Sequence, residues 1–206
     1  GSGPEDCTSC DAGYYCAGSN NPFPTGKCRA GYYCTGGSST PTQYITSPGH
    51  YTAAGASEEL PCEIGYYQPN ATQPKCLECR AGFFCNETGL TSGYFCPAGS
   101  YCPTGSSIYT KCPKGTYNPS QGSQSNSSDC LACTPGKYCG SDGLSAPTGD
   151  CAAGYYCSSG ATTDTPTDEE EDGGAECPKG YYCPEGTDNP RECPAGTYMA
   201  NLGNDG

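Results

Sequence analysis

The chain has 206 residues and a formal net charge of −13. Leu, Ile and Phe are scarce and Val and Trp are absent, whereas 20 residues are Cys, 31 are Gly and 19 are Pro. So few apolar side chains cannot fill an ordinary core, which excludes a helical bundle, a doubly wound α/β enzyme domain and a membrane-spanning segment. Cysteine at this frequency is typical of a disulfide scaffold outside the cell.

A seven-residue pattern, Cys-x-x-Gly-x-Tyr/Phe-Cys, recurs along the chain and defines eleven blocks. In chain order they start at residues 10, 28, 46, 62, 79, 96, 112, 133, 151, 177 and 193. Three blocks lack the closing cysteine, namely those that begin at Cys62, Cys112 and Cys193. In the third block, Thr46 and Thr52 stand where both cysteines would be. Repetition of this kind predicts stacked repeats rather than one closed domain.

Two positions of the block are constant in character. The fourth residue is glycine in all eleven blocks, which predicts a tight bend with a positive φ. The sixth is aromatic in all eleven, and the fifth varies widely. Because neighbouring side chains of an extended segment face opposite sides, we expect the sixth residue to pack on a disulfide and the fifth to be largely solvent-facing.

No stretch shows a helical period, and Gly and Pro separate the blocks. The predicted fold is small and disulfide-rich, mostly irregular with short β-strands and hairpins and no significant helix. We expect an elongated, solenoid-like array of about eleven repeats of 16–18 residues. The predicted repeat units are residues 1–76, 77–130 and 131–206, the last completed by a following unit.

The third block bears on disulfide pairing, because both of its cysteines are replaced together. If each complete block closes on itself, the half-blocks pair with the next cysteine downstream. The predicted bridges are then Cys10–Cys16, Cys28–Cys34, Cys62–Cys76, Cys79–Cys85, Cys96–Cys102, Cys112–Cys130, Cys133–Cys139, Cys151–Cys157 and Cys177–Cys183. A competing register pairs alternate cysteines, such as Cys10 with Cys28 and Cys16 with Cys34, and needs an exception for Cys177 and Cys183.

Cys7 and Cys193 are left over in the self-closed register. Cys193 opens a half-block without a downstream partner, and Cys7 opens a Cys-x-x-Cys pair without an upstream one. This complementarity predicts head-to-tail self-association, covalent or assembled, in which Cys193 bonds Cys7 of the next unit. Truncation at arbitrary ends is the alternative interpretation.

Three Asn-x-Ser/Thr triplets agree with an extracellular location, secreted or at the cell surface. They predict N-linked glycans at Asn70, Asn86 and Asn126. The acidic charge argues against nucleic acid as a partner. We expect no membrane insertion by this segment.

The sequence Cys112-Pro-Lys-Gly-Thr-Tyr-Asn-Pro, followed by Cys130-Leu-Ala-Cys133, resembles the ephrin-receptor-like cysteine-rich repeat, a relative of growth-factor-receptor and TNF-receptor modules. Cys193-Pro-Ala-Gly-Thr-Tyr198 is similar to it too, and the resemblance spans nearly the whole chain. Long tandem arrays of this style resemble surface and fibre glycoproteins of protists and algae, including flagellar-hair filaments. The resemblance implies a structural or adhesive role and no catalysis.

Chemical alternatives have little support in the residues. The three Cys-x-x-Cys pairs lie too far apart for a structural zinc site, and His50 is the single histidine. Asp168–Asp172 are five adjacent carboxylates without calcium-loop spacing, which indicates a solvated, mobile loop. We therefore expect no metal, no cofactor and no enzyme activity.

The functional prediction is a structural extracellular glycoprotein, part of a surface coat, a flagellar-hair-like filament or another extracellular fibril. The alternative is the ligand-binding or stalk region of a cell-surface receptor ectodomain. A receptor would break the repeat with a cluster of exposed apolar or charged anchors.

Overall fold

The structure is a computed structural model that describes residues 7–123 and 127–199. It contains two compact units. The first comprises residues up to Tyr94 together with Thr104–Ile108, and the second comprises Phe95–Pro103 and the residues from Tyr109 onward. Blocks 1–5 belong to the first unit and blocks 6–11 to the second. The predicted repeat boundaries after residues 76 and 130 stay a prediction.

The described residues form ten two-stranded sheets, each made of an odd-numbered strand and the strand that follows it. The strands are β1 Tyr14–Tyr15, β2 Gly26–Lys27, β3 Tyr32–Tyr33, β4 Tyr44–Ile45, β5 His50–Tyr51, β6 Leu60–Pro61, β7 Tyr66–Tyr67, β8 Leu77–Glu78, β9 Phe83–Phe84, β10 Tyr94–Phe95, β11 Ser100–Tyr101, β12 Thr110–Lys111, β13 Thr116–Tyr117, β14 Leu131–Ala132, β15 Lys137–Tyr138, β16 Gly149–Asp150, β17 Tyr155–Cys157, β18 Gly174–Glu176, β19 Tyr181–Tyr182 and β20 Arg191–Glu192. A 3₁₀ turn at Ser127–Asp129 is the helical element of the described residues. The predicted fold class, disulfide-rich with short hairpins in tandem, is confirmed.

Each block bends at its glycine. In block 1 the N–H of Tyr14 donates to the carbonyl of Asp11 at 3.0 Å, and Gly13 between them has a φ of +83°. A four-residue turn with a positive φ at its third position alone is a type II turn, which favours Gly there and Pro just before it. Pro48 and Pro135 occupy that preceding position in blocks 3 and 8. The bend turns the chain directly into the first strand of each hairpin.

Disulfides make up most of the buried interior. Nine bridges are present, and each complete block is closed on itself. The half-blocks are closed across the following linker, by Cys62–Cys76 and Cys112–Cys130. Most of these cysteines are inaccessible to solvent, so sulfur takes the place that aliphatic side chains have in an ordinary core.

Two sixth-position rings pack on sulfur, in each case on the sulfur of the following block. Tyr67 of block 4 lies in a buried cluster with Cys79 and Cys85 of block 5. Tyr138 of block 8 packs in the same way against Cys151 and Cys157 of block 9. An aromatic residue at this position therefore excludes water from the interface between two consecutive blocks.

The expectation that the fifth position faces solvent was wrong for most blocks. Ser100 is buried at this position, and Phe83 and Tyr155 are half-buried beside the sulfur clusters of blocks 5 and 9. Strands of two residues are too short for a strict alternation of inner and outer faces, because the tight turn and the linker enclose both sides.

Candidate functional site: the inter-block ladder and its terminal blocks

Consecutive blocks are joined by a repeating set of backbone hydrogen bonds, which we call the ladder. Between blocks 2 and 3, the N–H of Gly31 donates to the carbonyl of Thr52 at 2.9 Å, and the N–H of Thr46 donates to the carbonyl of Gly31 at 3.1 Å. The linker after block 3 adds a bond from the N–H of Gly55 to the carbonyl of Cys28 at 2.8 Å. The backbone of one block thus provides the hydrogen-bonding groups on which the next block is positioned.

The same bonds recur within both units. The bond from the block glycine to the closing position of the next block joins Gly13 to Cys34, Gly31 to Thr52, Gly49 to Gln68, Gly65 to Cys85, Gly99 to Asn118, Gly115 to Cys139, Gly136 to Cys157, Gly154 to Cys183 and Gly180 to Met199. Backbone groups make these bonds, so the ladder tolerates different side chains in the linkers.

The block glycine has a second role that its φ does not explain. The carbonyl of the linker two blocks downstream lies directly over it, as the Gly105 carbonyl does over Gly65. A Cβ added at Gly65 would lie 2.8 Å from that oxygen, and one at Gly136 would lie 2.5 Å from the oxygen of Gly186. Only a hydrogen fits in this space, so glycine is required both for the bend and for the stacking of blocks.

Polar side chains replace sulfur where cysteines are absent. Thr46 and Thr52 are buried and hydrogen-bonded to each other. In block 4, the Gln68 amide donates to the Lys75 carbonyl at 2.8 Å and accepts from the Asn70 N–H at 3.2 Å. Among the described residues, no buried side-chain nitrogen or oxygen lacks a partner. Sequence reasoning noted Gln68 and Asn118 only as missing cysteines and did not foresee these bonds.

Block 11 is the most open of the blocks. Tyr198 is 86% exposed, whereas the sixth-position rings of the ten other blocks are half-buried or buried. Beside it lies a groove of about 340 Å³ lined by Tyr182, Cys193, Pro194, Thr197, Tyr198 and Met199. Cys193 is a half-buried free thiol in this groove. The predicted inter-unit cysteine therefore lies on an apolar, accessible surface.

Block 1 carries the other free thiol. Cys7 is exposed and lines a groove of about 300 Å³ together with Cys10, Cys16 and the 21–24 segment. Phe23 in this segment is 79% exposed. Each of the two leftover cysteines is thus beside an accessible aromatic side chain.

The acidic segment is a hydrogen-bonded turn whose residues 168–171 are exposed, as expected of a solvated loop, and its mobility stays a prediction. The Asp168 carboxylate accepts from the N–H groups of Glu170 and Glu171 at 2.8 and 3.1 Å. Asp172 accepts from the N–H of Thr167 at 3.2 Å. Over the described parts of the chain, no three His, Cys, Asp or Glu side chains are grouped as metal ligands.

Family comparison places a known repeat in the first unit and the start of the second. Residues 49–96 match the family model described as tyrosine-protein kinase ephrin type A/B receptor-like. These residues are an ephrin-receptor-like cysteine-rich repeat. The matched segment contains blocks 4 and 5 with their two bridges, Cys62–Cys76 and Cys79–Cys85.

Curated relatives are similar to larger parts of the chain. The putative white-brown complex homolog protein 30 of Arabidopsis thaliana is 31% identical over 137 residues, 58% of this chain and 12% of the relative. Signal peptide, CUB and EGF-like domain-containing protein 2 of Mus musculus is 32% identical over 84 residues, 38% of this chain and 8% of the relative. ABC transporter G family member 28 of Arabidopsis thaliana is 33% identical over 110 residues, 47% of this chain and 10% of the relative.

The chain spans about a tenth of the length of the curated relatives it matches. Together with the nine bridges, the ephrin-receptor-like match and the relative with EGF-like domains assign it to the extracellular type of cysteine-rich domain. The ephrin-receptor-like repeat family is non-enzymatic in general. No described helix has the length and apolar character of a membrane span.

Two of the predicted glycosylation sites lie inside the ephrin-receptor-like segment. Asn70 and Asn86 are both exposed. The third, Asn126, lies outside the described residues. Glycosylation at all three stays a prediction.

Proposed function

We propose that this chain is a structural segment of an extracellular glycoprotein and forms part of a surface coat, a flagellar-hair-like filament or another extracellular fibril. The observation that carries the proposal is the ladder. Within each unit, consecutive blocks are bonded through the backbone, and every block except block 11 is closed by sulfur or by a buried polar pair. Such an arrangement supplies ordered material from a sequence with little apolar content.

The bridges suit this role because they restrict the unfolded chain. Closing a loop of seven residues stabilises the folded state by about 2 kcal/mol in the chain-entropy treatment. In this proposal the contribution is spread along the whole chain, so that pulling at one place opens one block rather than a whole domain.

The surface is also suited to extracellular material. A net charge of −13 keeps neighbouring copies apart and soluble. N-linked glycans at the exposed Asn70 and Asn86 would cover the sides of the first unit.

The proposal is tested by imaging the native extracellular material without reduction, with antibodies raised against this chain and coupled to gold. We expect regularly spaced labelling along filaments or a coat, and loss of those structures after treatment with a thiol reductant. A discrete, soluble particle that carries a stoichiometric protein ligand would contradict the proposal.

A receptor stalk or ligand-binding ectodomain is a second candidate, which one feature of the first unit favours. The second strands of its hairpins carry exposed apolar side chains at Tyr44, Ile45, Leu60, Leu77 and Tyr94. A set of exposed apolar side chains of this kind is a candidate contact surface for a macromolecule. Saturable binding to an extracellular protein that is lost in Leu60→Asp and Leu77→Asp, and kept in the unit-2 control Leu131→Asp, would support this candidate.

A further inference from the structure

We propose that block 1 of one copy stacks on block 11 of another, and that Cys7 and Cys193 form a disulfide across this junction. The inference rests on the proposed structural function and names the partner, a second copy of this chain. The interface it requires is already present inside the molecule, between consecutive blocks of each unit.

The exposed side of block 11 has the groups that an added block would need. Within the described residues of the second unit, no hydrogen bond reaches the N–H or the carbonyl of Gly196. At Gly31 in the same position of block 2, both groups are bonded to block 3. Gly196 is exposed, has a φ of +90°, and an added Cβ there would meet no atom within 4 Å.

Block 1 has the complementary groups. Within the described residues of the first unit, the N–H of Cys10 and the carbonyl of Cys16 take no part in a backbone hydrogen bond. In the internal ladder, the opening N–H donates to the preceding glycine carbonyl, and the closing carbonyl accepts from the preceding glycine N–H. By this pattern the Cys10 N–H donates to the Gly196 carbonyl of the other copy, and the Gly196 N–H donates to the Cys16 carbonyl.

The linker of block 2 continues the same register. Gly37 donates its N–H to the Cys10 carbonyl at 2.7 Å, just as Gly55 donates to Cys28 one block later. The carbonyl of Gly55 lies over Gly13, two blocks upstream. Gly37 is therefore placed to cover Gly196 of the preceding copy, and an added Cβ at Gly37 would also meet no atom within 4 Å.

Tyr198 supplies the apolar part of the junction. Tyr67 and Tyr138 each pack on the disulfide of the following block. In the junction Tyr198 packs on the Cys10–Cys16 disulfide of the second copy. This contact would remove from water a ring that is 86% exposed in the single chain.

The half-blocks show what a cysteine in the position of Cys193 does. Cys62 and Cys112 each bond the first cysteine of the next Cys-x-x-Cys pair, Cys76 and Cys130. Cys7 is the first cysteine of such a pair and is exposed. In the junction, Cys7 of the second copy has the position relative to Cys193 that Cys130 has relative to Cys112, its disulfide partner.

The bond forms by thiol–disulfide exchange with a low-molecular-weight disulfide such as oxidised glutathione. The Cys7 thiolate attacks one sulfur of the oxidant, which gives a mixed disulfide and releases one thiolate. The Cys193 thiolate then attacks the Cys7 sulfur and releases the second. Two cysteine thiols are oxidised, one small disulfide is reduced to two thiols, and the two protons of the cysteines end on those thiols.

The test uses two single variants, Cys7→Ser and Cys193→Ser, incubated in a glutathione redox buffer and analysed by non-reducing electrophoresis and mass spectrometry. We expect the unmodified chain to form a series of covalent multimers and each variant alone to stay monomeric. An equimolar mixture of the two variants should give a dimer and nothing larger, linked by Cys193 of one variant and Cys7 of the other.

A bridge between Cys7 and Cys193 within one chain, or a dimer formed by either variant alone, would overturn the proposal. A second substitution, Tyr198→Asp, is added to the Cys7→Ser variant, which keeps Cys193. It distinguishes a disulfide formed across stacked blocks from one formed by chance collision of two accessible thiols. We expect it to slow formation of the mixed dimer by about tenfold, whereas Ile108→Asp, at another exposed site, should not change the rate. Equal rates for both would overturn the stacking. If no dimer forms while native material still images as a filament, the junction fails and the proposed function stands.

Discussion

The Oγ1 atoms of Thr46 and Thr52 lie 2.5 Å apart and hydrogen-bond each other at the centre of block 3. Both side chains are buried, in the places where a complete block has its two cysteines. The backbone of block 3 keeps its turn, its hairpin and its ladder bonds with no bridge at all. The covalent bond is therefore an addition to a geometry that the backbone already specifies.

Replacing both threonines by cysteine should create a tenth bridge. We expect Thr46→Cys with Thr52→Cys to raise the free energy of unfolding of the first unit by about 2 kcal/mol under oxidising conditions. Calorimetry with and without a reductant measures the gain. The single variant Thr46→Cys is the control, because it leaves a buried thiol without a bond partner. No gain in the double variant would mean that the site does not have bridge geometry.

Gly65→Ala tests the close approach of the linker carbonyl, with Gly18→Ala as its matched control. Both glycines have a φ near +80°, so both variants lose about 1–2 kcal/mol from backbone strain. An added Cβ lies 2.8 Å from the Gly105 oxygen at Gly65 but meets nothing within 4 Å at Gly18. We expect Gly65→Ala to cost about 1–3 kcal/mol more in denaturant unfolding of dilute protein. Equal losses would refute the steric role.

The repeat allows a great deal of this structure to be predicted from the sequence. The constant glycine position indicates the bend, because glycine adopts a positive φ most readily. The constant aromatic position indicates the sulfur packing, because a ring that recurs at a fixed distance from the cysteines is expected to pack on a disulfide. That Tyr67 packs on the next block rather than on its own is not predictable, since both arrangements bury the ring. The approach of the linker carbonyl to Gly65 is not predictable from the sequence either, because it depends on how blocks two steps apart are stacked.

The same limit applies to the buried amides. Asn118 and Gln68 follow the aromatic residue in half-blocks, and the sequence shows only that a cysteine is missing there. Their partners include main-chain groups of linkers whose lengths differ between blocks, and Asn118 also bonds the Ser100 carbonyl of block 6 and the Ser123 hydroxyl. The exposed fifth position predicted for Ser100 was wrong for a similar reason, since burial there is set by the surrounding turn.

Asn118→Ala should destabilise the second unit strongly. The Asn118 amide donates to the Ser100 carbonyl at 3.1 Å and to the Ser123 hydroxyl at 2.7 Å, and its oxygen accepts from the Ser120 N–H at 3.0 Å. The side chain is only 2% exposed and Ser100 is buried too, so the Ser100 carbonyl would lose its partner away from water. We expect a loss of about 2–4 kcal/mol in chemical denaturation.

Asn189→Ala serves as the control for that variant, because Asn189 is exposed in the same unit. It should change stability by less than about 0.5 kcal/mol. Similar losses in both variants would show that the buried amide bonds of Asn118 contribute nothing specific.

Stability should fall at alkaline pH through Tyr156. Burial first, and the negative charge of Glu169 second, raise the pKa of this phenol above its usual value of 10.0. Between the unfolded and the folded pKa, the unfolded chain releases a proton that the folded chain keeps, so this contribution to stability is complete below pH 10 and is lost as the pH rises further.

Glu169→Gln should lower the pKa of Tyr156 towards the usual value without restoring it, because burial remains. Titration of the phenol by ultraviolet absorbance, as a difference against Tyr156→Phe, measures the shift. Glu170→Gln, an exposed neighbour, is the control and should leave the titration unchanged. A larger effect at Glu170 than at Glu169 would contradict the assignment.

Hydrogen exchange of the oxidised and the reduced chain, followed by mass spectrometry, examines whether sulfur and the ladder together keep this polypeptide ordered. In the oxidised chain, the amides of the ladder glycines from Gly13 to Gly180 should exchange slowly, and the eighteen bridged cysteines should resist alkylation. After reduction, both kinds of protection should disappear together. Slow exchange that survives full reduction, or cysteines that react before it, would contradict this explanation of the fold.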